Sequence, residues 1–352
     1  MTVVQLLGLG LIVLVALDAA VTVLHPDAEG LVATTIRRTV WRATALLSAR
    51  LARSGRHVLG LAGPLIVALT FLSWIVLSTL GVALAVWPML GTDFALQTSL
   101  GPPSFLDAMY FAAGTTTVLG YGDVTPLSTS AQLVSVFGAA VGFTMFTGMA
   151  TYVIEIVSGV TTRNRFTLAM HDDVRDGGGV TVLADCLAEA GAGEARQRCQ
   201  SWTEHLRAVD EMVHRYPLVA FTYRSRRHEY DPEPALRHVA EATVTALVAA
   251  GYEPGLRQSA EALCSALTRL QSTIAQTYLD GRISAQLAEP EPTARDRTAV
   301  AGVDRALSGA LGLSVPPAEH PRAVETVCRS RTFLAGLHRW SRTATPPQEW
   351  DG

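Results

Sequence analysis

The chain has 352 residues, 49% of them hydrophobic and only 17% charged, with a net charge of −3 and a mean hydropathy of +0.27. Soluble globular chains carry about 25% charged residues, and this balance excludes both a disordered chain and a highly charged nucleic-acid binder. The average conceals a split. Val58 to Thr162 is a run of 105 positions without Lys, Arg or His, and all 28 basic residues are arginines, six between Arg37 and Arg56 and twenty-two beyond Thr162. That is the pattern of a membrane protein with a soluble tail.

A helix that crosses a bilayer needs about 20 predominantly apolar residues. Val3–Leu24 meets this with one acid, Asp18, inside it. A signal peptide would carry a basic residue ahead of its apolar run and a small-x-small cleavage site after it. The chain shows neither clearly, so a retained helix is expected. Intramembrane acids are costly, and Asp18 is expected to snorkel to water near the inner boundary. The next segment, residues 31–58, keeps Leu31, Ile36, Val40, Leu47 and Leu51 at roughly helical spacing among its arginines. Two readings stand side by side: a helix along the inner leaflet offering arginine to anionic lipid, or a helix packed on the soluble domain.

Leu61–Leu90 is a second span without a charge, and Ala131–Val157 a third with Glu155 near its end. The arginines of the first link, and Arg163 and Arg165 after the third span, place both on the cytoplasmic side by the positive-inside rule. The amino terminus and residues 88–130 then lie outside, with Trp87 at an interface.

Between the second and third spans the chain reads Gly101-Pro-Pro-Ser-Phe-Leu-Asp-Ala-Met-Tyr-Phe-Ala-Ala-Gly-Thr-Thr-Thr-Val-Leu-Gly-Tyr-Gly-Asp-Val-Thr-Pro126. Ser104 is a good N-cap, and Asp107 three residues on completes a variant capping box. The helix from Phe105 to about Thr116 has about three turns, too short to span, so it must dip in and return. Such chain is tolerated at membrane depth only where protein buries it or it lines a wet cavity. Gly120-Tyr121-Gly122 then permits alternating backbone conformations that an L-residue reaches only at a cost, which lets successive carbonyls face one axis and replace a cation's hydration shell. The carboxyl end of the short helix adds a negative field there.

The stretch from Thr115 to Pro126 resembles the pore loop and selectivity filter of potassium channels, usually Thr-Val-Gly-Tyr-Gly followed by Asp, and the resemblance covers roughly residues 61–158. It implies an all-α membrane fold with a tetrameric pore-loop core, and ion-binding carbonyls from Val118, Leu119, Gly120, Tyr121 and Gly122. Support comes from Thr115, Thr117, Tyr110, Phe111 and Asp123. Anchored on Gly120, the family's filter Val falls on Leu119 and its filter Thr on Val118, which offers no hydroxyl to the innermost ion site. An alternative alignment pairs Thr117-Val118 with the family's Thr-Val and makes Leu119 an insertion. The family's pore-helix Glu corresponds to Gly114, so Asp123 lacks that partner. Gly142, twenty residues past Gly122, falls at the family's gating hinge, and close helix packing is the competing account of that glycine. Glu155 is a candidate for an acidic ring, for an interface contact, or for pairing with Arg163.

The expected organisation is an amino-terminal span (1–24), a basic amphipathic segment (25–60), a pore domain (61–158) and a mostly helical cytoplasmic domain (159–352). Helical runs at Ala235–Ala250 and Leu256–Leu279 are separated by breaks at 176–179, 230–234, 289–293 and 315–321. Cys186, Cys199, Cys264 and Cys328 form no CxxC pair and are expected to be free thiols. The three-glycine run ahead of Val180 is the reverse of a strand followed by a phosphate loop, so a nucleotide-binding tail is not supported. Glu211/His214 lacks the companions a metal site needs, His171-Asp172-Asp173 reads as loop, and Arg224, Arg226 and Arg227 read as a solvated face. No enzymatic constellation is present, and no arginine-every-third-residue voltage sensor. The sequence points to a multi-pass cell-membrane homotetramer passing potassium without a cofactor, in contact with lipid and not with nucleic acid. A weakly selective cation channel and a membrane-anchored sensor with a vestigial pore are the alternatives.

Overall fold

The computed structural model describes residues 2–25, 28–50, 55–96, 103–174, 178–225, 227–313 and 320–341. Leu51, Arg53, Gly101, Pro102, Asp176, Gly177, Arg226 and residues 315–319, named above, lie outside these, as does the side chain of Arg56. The chain divides into two compact units, Met1–Leu46 with Ala62–Val157, and Leu47–Leu61 with Ser158–Gly352. It is an all-α membrane protein. Among the described residues three helices are long and apolar enough to cross a membrane, at Val3–Leu24, Ala62–Met89 and Thr129–Val174.

In the first unit, α1 (Val3–Leu24) opens on a capping box. The Thr2 hydroxyl accepts from the Gln5 N–H, and the Gln5 side chain accepts from the Thr2 N–H at 2.7 Å. α1 packs on α4 (Ala62–Val86) through facing glycines. A Cβ on Gly8 would lie 2.5 Å from the Gly81 carbonyl oxygen, and one on Gly81 would lie 2.7 Å from the Ile12 side chain. With no hydrophobic drive between helices in lipid, contact of this kind is what holds two spans together. Below the crossing, Val15 and Ala19 join Trp74, Ala33 of α2 (Leu31–Arg50) and Met145 and Met149 of α6 (Thr129–Val174) in one apolar cluster.

Asp18 departs from the sequence expectation. Its carboxylate does not reach for water. Oδ1 accepts from the Val32 N–H and Oδ2 from the Trp74 Nε1–H, both at 2.9 Å. The Thr22 hydroxyl donates to the Asp18 carbonyl and accepts from the Gly30 N–H. The acid thus satisfies a donor that the first turn of α2 leaves open and an indole that burial would otherwise strand. Snorkelling loses because two fixed donors within reach replace hydration without exposing the chain.

Two short strands complete this unit. β1 (Phe94–Leu96) and β2 (Val124–Pro126) pair antiparallel, with Ala95 opposite Thr125. The pattern of the sequence carried no sign of them, since three-residue strands leave no period to read.

In the second unit, α6 runs unbroken to Val174, well past the apolar run that marked it as a span. Within this unit a Cβ on Gly159 would lie 3.0 Å from Met212, and the Arg163 guanidinium, 3% exposed, donates to the carbonyls of Val219 and Ala220. A helical bundle follows: α7 (Gly178–Arg215, kinked at Gly191 with φ 82°), α8 (Pro232–Tyr252), α9 (Arg257–Tyr278), α10 (Gly281–Ala288), α11 (Ala294–Ala310) and α12 (Pro321–Ser341). Helix α3 (Gly55–Gly60) belongs to the same unit. Phe221, Tyr278 and Trp340 meet edge to face in it. All four cysteines are buried and unpaired, and burial pushes the Cys199 thiol up to about 12, leaving it protonated and inert at neutral pH.

Asp18→Ala leaves the Val32 N–H and the indole N–H of buried Trp74 without an acceptor and should lower stability by roughly 2 kcal/mol, whereas Asp18→Asn, which keeps one acceptor, should lose less. Thermal unfolding in detergent measures both, and equal stability of Asp18→Ala and the parent would refute the role given to the acid.

Candidate functional site

The short helix α5 (Phe105–Thr116) begins where the capping box was read. Asp107 Oδ2 accepts from the Ser104 N–H at 2.8 Å, and Ser104 Oγ accepts from the Asp107 N–H. Its twelve residues cover about 18 Å. The chain therefore enters, turns and leaves by the loop after it. The β1–β2 pair closes the outer end of that excursion, with a further bond from the Leu127 N–H to the Asp93 carbonyl at 2.8 Å. Hydrogen bonds from Ser128 and then Thr92 hold the Asp93 carboxyl below its ordinary range.

The inner end of α5 is fixed from two sides. The Thr116 hydroxyl lies 2.8 Å from that of Thr79 on α4, and also donates to the Ala112 carbonyl. From the other side α6 presents Gly142, where a Cβ would run into the Thr116 carbonyl oxygen. The competing account of that glycine, close packing, is therefore visible in the structure. Gly138 sits in the same line against Val82, while Gly148 has open space.

After Thr116 the backbone alternates. Val118, Gly120 and Gly122 have φ of 61°, 57° and 81°, and the residues between them do not have positive φ. The sign of φ thus alternates residue by residue from Val118 to Gly122. Glycine takes these angles freely, but a β-branched valine does so only under strain. Gly114, at the helix end, accepts from the Leu119 N–H at 2.8 Å and the Gly120 N–H at 3.4 Å, and Thr115 accepts from the Val118 N–H at 3.1 Å. The N–H groups of this stretch are thus turned back to the helix. The Thr117 hydroxyl donates to the Ala113 carbonyl.

The aromatics divide. Tyr110 stacks on Tyr121 at 6.0 Å and 9°, and its hydroxyl donates to Asp123 at 2.8 Å. A tyrosine thus supplies the bond that the missing pore-helix carboxylate would make. Phe111 turns away, edge to face on Phe94 of β1 at 5.1 Å, and braces the hairpin rather than Tyr121. Nothing in the sequence distinguished these adjacent rings, because successive helix positions differ by about 100° and only the fold says which points inward.

Helix α6 has two contrasting faces in this unit. Gly138, Gly142, Met145 and Met149 are buried. Opposite them, at spacings of four, three, four and four, Ala140, Thr144, Thr147, Thr151 and Glu155 are all exposed. The sequence signal for this stripe was available: three hydroxyls and an acid at helical spacing in an otherwise apolar span.

A capped half-helix feeding a loop of alternating φ between two spans is the architecture expected of a pore domain. Residues 69–159 match the family model described as ion channel, and this segment is an ion-channel domain. Over 130 residues the chain is 32% identical to an uncharacterized membrane protein, YdjJ, of Bacillus subtilis (strain 168), covering 35% of this chain and 37% of that protein. It is 42% identical over 55 residues to two-pore potassium channel 2 of Arabidopsis thaliana, covering 14% of this chain and 12% of the relative. The chain therefore spans well under two thirds of either relative. No solved structure matches.

Gly142→Ala should destabilise the fold by about 1–3 kcal/mol through overpacking against Thr116. Gly148→Ala, with free space and better helix propensity, should be neutral or stabilising by up to about 1 kcal/mol. Thermal unfolding of the two variants decides, and the reverse order would overturn the packing account.

Proposed function

We propose that the protein is a passive, potassium-selective channel of the cell membrane. Four copies of the chain each contribute the carbonyls of Val118 to Gly122 to one axial filter, with the second unit in the cytoplasm and the amino terminus outside. The observation that carries this reading is the alternation of positive φ at residues 118, 120 and 122. It supports the ungapped register, because it reaches back to Val118 without a residue to spare for an insertion at Leu119.

Four chains follow from one filter strand per chain, since rings of carbonyls replace the hydration shell. Leu119, Tyr121, Phe143 and Phe146 are largely exposed in the single chain, which is what neighbours in a ring would cover. The stripe of Thr144, Thr147 and Thr151 gives hydroxyls to a wet cavity below the filter. Glu155 puts four acids at its cytoplasmic mouth, concentrating cations. Gly142 as the gating hinge has less support than its contact with Thr116. The more open site for bending is Gly148, six residues further on. The resident chemistry is the permeant ion alone, with no cofactor and no nucleic acid.

One observation favours a second reading, weakly selective cation permeation: Val118 replaces a hydroxyl-bearing residue at the innermost site. Reversal potentials of the reconstituted protein in mixed potassium and sodium separate the two. A value close to that of potassium is expected, and equal permeability would reject selectivity. Gly120→Ala should abolish flux by straining the left-handed conformation, and Val118→Thr should raise potassium occupancy at the inner site. Absence of flux from the parent under varied voltage, pH and salt would favour a sensor with a vestigial pore.

A further inference from the structure

Between α2 and α4 lies an open groove of about 550 Å³, lined by Leu31, Val32, Thr35 and Ile36 on one side and Leu72 and Val76 on the other. That is within the size range of ligand sites. Its walls are mostly apolar: of the two hydroxyl-bearing residues that line it, Thr35 and Ser73, the Thr35 hydroxyl is turned back onto the Leu31 carbonyl at 2.7 Å. Leu31 is 85% exposed and Leu72 and Val76 about half exposed, so none of the described residues of this unit fills the space.

The groove has a charged continuation. Leu31, Thr35, Arg38 and Arg42 follow one another at spacings of four, three and four, which is one stripe of α2. The two arginines lie about 10 and 16 Å beyond Leu31 along the helix axis. They differ from their neighbour Arg37, which is held by Glu29 at 2.8 Å. Arg38 and Arg42 are exposed and have no acidic partner among the described residues. An apolar slot in the side of a membrane-spanning helix, ending in two free guanidinium groups, matches an acyl chain that ends in a phosphate. Guanidinium is suited to that headgroup because its donors meet phosphate oxygens in pairs.

We infer that the groove between α2 and α4 holds an acyl chain of an anionic phospholipid, whose phosphate is bound by Arg38 and Arg42. On the orientation proposed above, the lipid belongs to the cytoplasmic leaflet. The Asp18 bonds to Val32 and Trp74 fix the two walls relative to each other, so the slot is preformed rather than opened by its occupant.

The test uses the full chain in neutral detergent with phosphatidylglycerol or phosphatidylcholine, bound lipid being read by native mass spectrometry. Phosphatidylglycerol should be retained at least tenfold better than phosphatidylcholine, and the double change Arg38→Gln/Arg42→Gln should weaken it roughly thirty-fold, as loss of two headgroup charges implies. Val76→Trp, which fills the slot and leaves the charges, should reduce retention of both lipids. Arg38→Lys/Arg42→Lys should restore part of the preference, which separates charge from folding. The inference is overturned if the two lipids bind alike, if the Gln pair changes nothing, or if Val76→Trp retains phosphatidylglycerol fully, since the arginines then act only as diffuse surface charge. It is also overturned if inorganic phosphate alone displaces the lipid, or if Val76→Cys cross-links chain to chain, which would make a second copy the occupant. Because lipid mass is measured and not ion flux, failure of the channel reading leaves this result interpretable.

Discussion

The pore loop depends on one meeting point. The end of α5 has carbonyl groups with no partners of its own helix, and a bilayer supplies no water to take their place. The N–H groups of Thr117, Leu119 and Val118 take the carbonyls of Ala113, Gly114 and Thr115, while α4 reaches the Thr116 hydroxyl with that of Thr79 and α6 lays the bare backbone of Gly142 against the Thr116 carbonyl. Those two contacts hold the half-helix between the spans, and everything beyond it hangs from that position. The turn at Thr117, the N–H groups returned to Gly114, and the loop of alternating φ that follows all start from a helix end that cannot move without breaking both.

The amino-terminal elements obey the same rule with different chemistry. α1 approaches α4 through glycine, and then spends an acid to attach α2. A lone carboxylate in this setting costs several kcal/mol, so it persists only where donors surround it. Trp74 and the first turn of α2 are such donors. The arrangement joins a span, a pore-domain helix and an arginine-bearing helix at one side chain, so α2 leaves α4 at a fixed angle and a slot remains between them.

Much of this was legible in the sequence, and what was missed shares a cause. The spans, the Ser104–Asp107 cap and the extent of α5 follow from hydropathy and local hydrogen-bonding rules, which act within a few residues. The glycines at 120 and 122 were readable because positive φ has a residue preference. Val118 had no such mark: a β-branched residue argues against the angle it adopts, and only the neighbouring register betrays it. The Asp18 bonds, the Thr79–Thr116 pair and the Tyr110–Asp123 bond join residues 13 to 56 positions apart. No periodicity carries that information. The hairpin of β1 and β2 was invisible for the same reason, as was the division of labour between Tyr110 and Phe111.

Val118 shows how the loop and its surroundings share the cost of function. A left-handed β-branched residue is strained by about 1–3 kcal/mol, and such strain persists only where the surroundings over-determine the backbone. Here the constraint comes from both ends. On one side the Val118 N–H is bonded to Thr115 and the next N–H to Gly114. On the other, Tyr121 is stacked on Tyr110, whose hydroxyl holds Asp123. Relaxing Val118 to a right-handed conformation would turn the 118–119 peptide over, and the Leu119 N–H would lose Gly114. The single unfavourable residue is therefore kept in place by four favourable contacts around it, and the alternation of positive φ begins two residues earlier, at Val118, than the glycines alone would allow.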